Sequence, residues 1–229
     1  MGLGGMAARL ELRRLGTIVV NRVTPAPAAN GSLGNAELPN PLRRANLMAM
    51  PISVPTYTVD DLDRFPNDGN RYELLDGVLL VTPSPGMPHQ VATQRLAALL
   101  TNLLQPWPEI LVTSPGVIIL RPKTHLEPDI LVFRSPKGSH RWEAVVDHFL
   151  AIETLSPSTG VYDREFKRPA YLELGVHEVW RVDGDDRAIL VSRPGEAPDR
   201  PYRHQLQWSP RGLGQTFVID IEPLFRGLE

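Results

Sequence analysis

Two carboxylates sit where an apolar strand would not ordinarily carry charge. Asp129 follows Pro128 and heads the run "PDILVF", and Glu153 interrupts "FLAIETL". Burying an unpaired carboxylate is costly, so such residues need a partner. If the two strands are neighbours, Asp129 and Glu153 converge at one edge of a sheet. Their repulsion would then raise one pKa unless a cation sits between them. Hard oxygen donors of this kind select Mg²⁺, Mn²⁺ or Ca²⁺. Lys167 lies 14 residues beyond Glu153 and forms an i, i+4 pair with Asp163, with Tyr171 continuing the same stripe. An ammonium beside a metal-activated water can orient the nucleophile or steady negative charge developing on a phosphorane. Each residue also has a plainer reading. Asp163 and Lys167 could be a surface helix pair, Asp129 ordinary turn chemistry after proline, and Glu153 a single satisfied edge carboxylate. Taken jointly, in this order and spacing, they favour the functional reading.

The elements that must position these residues follow from local pattern. Within "FLAIETL", Phe149, Ala151 and Glu153 alternate with Leu150 and Ile152, and both sets are apolar apart from the acid. That is the pattern of a strand covered on both faces. After the turn "SPSTG", residues 160–175 read as one helix, with Ser156 and Ser158 as turn and N-cap residues and Gly175 as its C-cap. Upstream, Thr58 caps a short helix, and "RYELLDGVLLVTP" is a hairpin about Asp76-Gly77. Residues 89–104 place Val91, Leu96, Leu99, Leu100, Leu103 and Leu104 near one helical face, which Pro106 and Pro108 terminate. "GVIILRP", "PDILVF", "DHFLAIETLS", "HEVWRVD", "AILVSRP" and "TFVIDIEPL" are strands, and Trp180 belongs in the core. The expected class is α/β (α+β), a mixed central sheet flanked by helices.

Composition narrows the chemistry. The 229 residues carry a formal net charge of -2 and are 42% hydrophobic, which suits one compact domain without a global basic field. With no cysteine, thiolate metal sites, disulfides and a cysteine nucleophile are excluded, and a cytoplasmic protein is expected. No apolar run approaches the roughly 20 residues that span a bilayer, so no membrane association is expected. His125, His140, His148, His177 and His204 lack zinc-ligand spacing, and neither a phosphate-binding glycine loop nor a GxSxG elbow is present. Residues 1–50 mix Pro, Ala, Asn and Gly without periodicity. They are expected to be a disordered extension, or to precede a true start at Met48 or Met50, with the folded domain at 51–229.

The strings "RYELLDGVLLVTPSPGMPHQ", "EPDILVF" and "IETLSPSTGVYDREFKRPAYLELGVHEVWRVD" resemble the Uma-two family of restriction endonucleases, a branch of the PD-(D/E)XK nuclease superfamily. The resemblance runs from about Tyr57 to Leu224. It implies a restriction-endonuclease-like core in which Pro128-Asp129 supplies the first acid and Glu153 the second. The lysine normally two residues after that acid would fall on Leu155, so the resemblance assigns its role to Lys167 on the following helix. It also implies Glu73 as a third member of the metal shell, against a strand-face acid as the alternative. His89 is implied as a base or phosphate-binding residue, against a capping or packing role. The expected activity is metal-dependent hydrolysis of phosphodiesters, with Mg²⁺ or Mn²⁺ as cofactor, DNA as partner and a homodimer in keeping with the family's habit. Arg121, Lys123, Lys137, Arg141, Arg164 and Arg168 are expected to meet the nucleic-acid backbone. The competing reading is a nuclease-like module that binds DNA or protein without cutting.

Overall fold

The computed structural model describes residues 55–156 and 162–228. The readings made for 1–50, Ser158 and the first turn of the helix at 160 fall outside those residues.

The chain enters through a 3-10 helix, Val59–Arg64, where the Asp61 carboxylate accepts both the backbone N–H and the hydroxyl of Thr58. Strands β1 (Arg71–Leu75) and β2 (Val78–Thr82) form the expected hairpin. Its turn residues Asp76 and Gly77 both have positive φ, at 51° and 83°, which matches the right-handed twist of the two strands. Helix α1 (Met87–Leu103) buries Leu96 and Leu100, and Leu104 just beyond it, as the spacing predicts. Its first turns bury Ala92 and Thr93 instead of Val91.

Strands β3 (Ile110–Thr113), β4 (Ile118–Leu120), β5 (Thr124–Leu126), β6 (Ile130–Arg134) and β7 (His148–Thr154) follow. A π-helical turn, Asp163–Lys167, then leads into α2 (Arg168–Glu173). Strands β8 (Val179–Asp183), β9 (Ala188–Ser192), β10 (Arg200–Tyr202), β11 (Gln205–Trp208) and β12 (Phe217–Asp220) complete the described fold.

The single helix expected over 160–175 is thus π-helical before it is α-helical. The Arg168 N–H bonds back to the Asp163 carbonyl, five residues earlier. Pro169 has no N–H to return to Glu165, and a widened turn just upstream accommodates that gap. Gly175 (φ 88°) closes the helix as expected: its N–H reaches Leu172 O at 3.1 Å, and the Val176 N–H reaches Tyr171 O at 3.0 Å.

The main sheet has the order β10-β9-β8-β7-β6-β3 and is mixed, since β7 and β8 run parallel while their neighbours run antiparallel. A second, antiparallel sheet has the order β2-β1-β5-β4, and β11 pairs with β12. Alternation along β6 and β7 divides the core. Ile130, Val132, Leu150 and Ile152 pack with Leu96, Leu100, Trp180 and Trp208. Leu131, Phe133 and Ala151 pack with Leu80, Leu126, Ala170 and Tyr171. All of β7 is buried, as a strand covered on both faces must be. Trp180 is wholly buried.

Candidate active site

The register between β6 and β7 decides where the acids meet. Ile130 pairs with Ile152, so Asp129 and Glu153 lie one step beyond that pair. Alternation puts both on the face that Leu131 and Ala151 share. They open into a pocket of about 230 Å³, which Arg71, His89, Asp163 and Lys167 also line, and whose wall includes the last residue of β2, Thr82, and the segment 83–86 after it.

Asp129 is fixed from every side. Its carbonyl accepts the Ser114 hydroxyl at 2.8 Å. Its Oδ2 accepts the Thr154 N–H at 2.9 Å and lies 3.0 Å from His89 Nε2. Its Oδ1 accepts a guanidinium N–H of Arg71 at 3.1 Å, and the same Arg71 nitrogen donates to the Glu127 carbonyl at 2.9 Å. Burial pushes the Asp129 carboxyl up. The hydrogen bond and charge of His89, the charge of Arg71 and the Thr154 N–H outweigh that, and the net shift is downward.

Glu153 has the opposite balance. Its Oε1 accepts Tyr171 OH at 2.6 Å and Lys167 Nζ at 3.2 Å. Burial nevertheless holds its carboxyl well above the usual range; Lys167 opposes this, and the negative fields of Asp163, Asp129 and Glu73 add to it. Burial disfavours the Lys167 ammonium, but Glu153, Glu73 and Asp163 together raise its pKa above the ordinary lysine value. Tyr171, buried beside the same acids, is also pushed well up, with burial the first cause.

Glu73 is fully buried behind the lysine and does not reach the pocket wall. Its Oε2 lies 2.7 Å from Lys167 Nζ, and its Oε1 accepts the Glu127 N–H at 2.7 Å. The residue expected in the metal shell therefore stands one layer back. The π-helical turn explains the reach of Lys167, which points inward with Asp163, 3.9 Å away, and is only 4% exposed.

The donor set can be weighed against a divalent cation. Among the described residues, no group of three or more His, Asp or Glu stands ready to hold a metal ion. Mg²⁺ seldom uses such a cage; it takes one or two carboxylates and completes its shell with water and substrate phosphate. Asp129 and Glu153 offer those two carboxylates in one pocket. Around them the acids Asp129, Glu153, Glu73 and Asp163 outnumber the permanent cations Arg71 and Lys167, an excess that a divalent ion would relieve. The residues fit the ion.

A family model described as "Uma2: Putative restriction endonuclease" matches residues 59–228. The chain belongs to the Uma2 family. A crystal structure described as "a putative nuclease belonging to DUF820" from Anabaena variabilis ATCC 29413 is similar, with a TM-score of 0.60 and 17% sequence identity. The match covers 74% of this chain and 97% of that one. The likeness shows a shared mixed α+β fold. Among curated proteins none matches.

Within this Uma2 chain the structure brings Asp129, Glu153, Lys167 and His89 to one pocket, with Glu73 behind them. It does not bring the expected basic residues there. Arg121 pairs with Asp60 and Glu143, Arg141 with Glu143, Arg164 with Glu165 and Arg168 with Asp199, and neither Lys123 nor Lys137 lines the pocket. The pocket arginine is Arg71, which sequence reasoning missed. Its signal was its place two residues before Glu73 on one strand, where side chains share a face. Thr93 was missed as well: its hydroxyl bonds that of Thr154 at 2.8 Å and ties α1 to the end of β7.

Proposed function

We propose that this Uma2 chain is a divalent-metal-dependent phosphodiesterase that cuts DNA internally, with Asp129 and Glu153 holding Mg²⁺ or Mn²⁺. The observation that carries this reading is the meeting of the two acids from adjacent strands in one pocket with Lys167 beside them. Bound there, such an ion supplies Lewis acidity toward a phosphoryl oxygen and toward water.

The chain's own residues do the rest. Lys167 stays charged because three acids surround it, and it presents that charge to the pocket, where a phosphoryl group in transit gains negative charge. Glu73 holds the ammonium from behind and Tyr171 holds Glu153, so both reactive groups are placed before substrate arrives. His89 Nε2 contacts Asp129 and sets the carboxylate's orientation. The family description makes duplex DNA the first substrate to test.

The test uses the full chain and its Asp129→Ala variant with supercoiled plasmid and single-stranded DNA, in Mg²⁺, Mn²⁺, Ca²⁺ or EDTA. Nicking that needs Mg²⁺ or Mn²⁺ and disappears in the variant is expected. DNA binding that is equal in both proteins, with no cleavage under any ion, would make this a non-cutting module.

A further inference from the structure

We propose that Arg71 is a gate on the metal site. Without substrate its guanidinium occupies the one Asp129 oxygen open to a cation, and a phosphodiester draws it away, so metal and nucleic acid are taken up together. The inference rests on the metal-dependent reading of the pocket.

The two oxygens of Asp129 are not equivalent. Oδ2 is committed to the Thr154 N–H and to His89 Nε2, both held within the fold. Oδ1 is the oxygen left for an incoming ion, and Arg71 sits on it at 3.1 Å. A hard cation arriving there meets a positive charge already in place, and the two compete. The neighbouring lysine could not play this part: its side chain is 4% exposed and enclosed by acids, whereas that of Arg71 is 22% exposed on the pocket wall.

Arg71 also has somewhere to go. Its Nε lies 3.7 Å from the Glu127 carboxylate, so the fork has a second acid within reach. A guanidinium pairs with a phosphodiester through two parallel hydrogen bonds, a geometry that an ammonium lacks. Glu73, on the same face of β1, holds Lys167 while Arg71 governs Asp129. One strand thus sets both ends of the site.

The experiment is calorimetric titration of Mn²⁺ into the full chain, its Arg71→Gln, Arg71→Lys and Asp129→Asn variants, each alone and with a phosphorothioate-linked duplex. Arg71→Gln is expected to bind Mn²⁺ about tenfold more tightly than wild type in the absence of duplex. It is also expected to gain less from the duplex than wild type does. Arg71→Lys keeps the charge that the acidic cluster needs but lacks the fork, and is expected to fall between them. Should the glutamine variant not fold, the lysine variant decides the matter through the duplex: lacking the fork, it is expected to gain less Mn²⁺ affinity from the duplex than wild type does, and an equal gain overturns the gate. If Asp129→Asn loses Mn²⁺ while Arg71→Gln matches wild type, the gate alone falls. If Asp129→Asn binds Mn²⁺ as wild type does, the metal reading falls and the gate with it.

Discussion

Glu153 is a buried carboxylate whose ionisation runs against stability. In the unfolded chain it loses its proton near its ordinary value of 4.5, while burial makes the folded protein hold that proton to higher pH. Between those values the folded state binds the extra proton, so stability falls as pH rises. Asp129 runs the other way: its lowered pKa adds stability above the ordinary 3.8, which is lost on acidification. Glu153→Gln keeps the shape and removes the titration. Its stability relative to wild type is expected to be smallest below pH 4.5 and to grow by up to about 1.4 kcal/mol per pH unit above it. Urea unfolding across pH 4–9 measures this, and a difference constant with pH would contradict the account. The same variant is expected to lose cleavage, since the amide is a poorer ligand for a hard cation.

At the scale of elements, Asp129 depends on the loop between β3 and β4. The Gly116 N–H bonds the Pro128 carbonyl at 2.9 Å, next to the Ser114 bond to Asp129. A Cβ on Gly116 would come 2.1 Å from Leu131 Cβ, so the glycine is required by close approach. Gly116→Ala is expected to cost about 1–3 kcal/mol by overpacking and to lower cleavage by displacing Asp129. Gly184→Ala, where an added Cβ meets nothing within 4 Å, is the matched control and should change cleavage little. These dependencies were only partly legible beforehand. Asp76-Gly77 and the doubly apolar β7 announce themselves by local chemistry, and Asp129 and Glu153 by standing as charges in apolar runs. The second sheet does not, because β5 is three residues long and meets β1 through the pairing of Leu74 with His125, a contact set by tertiary approach. Arg71 at a strand's first residue reads as a solvated charge until its partner across the fold is known. The π-helical turn had a signal in Pro169, but the same proline also suits the first turn of an ordinary helix.

For the whole molecule, the two sheets and two helices converge on a single acidic pocket. β1 supplies Arg71 to the wall and Glu73 behind it, α1 supplies His89, Asp129 just before β6 and Glu153 on β7 bring the acids, and the π-helical turn brings Lys167, with Tyr171 of α2 behind Glu153. Among the described residues no helix is long and apolar enough to cross a membrane. Of the six basic residues expected to meet DNA, Arg121, Arg141, Arg164 and Arg168 are paired with neighbouring carboxylates. The central claim is that Asp129 and Lys167 belong to one hydrolytic centre. Groups that act as a unit lose activity together, so their losses do not multiply. The most direct measurement is the rate of plasmid cleavage in excess enzyme and Mg²⁺ for wild type, Asp129→Ala, Lys167→Ala and the double variant. The account predicts that the double variant is no slower than the worse single one. Losses that multiply, or a wild-type protein that does not cut with any divalent ion, would contradict it.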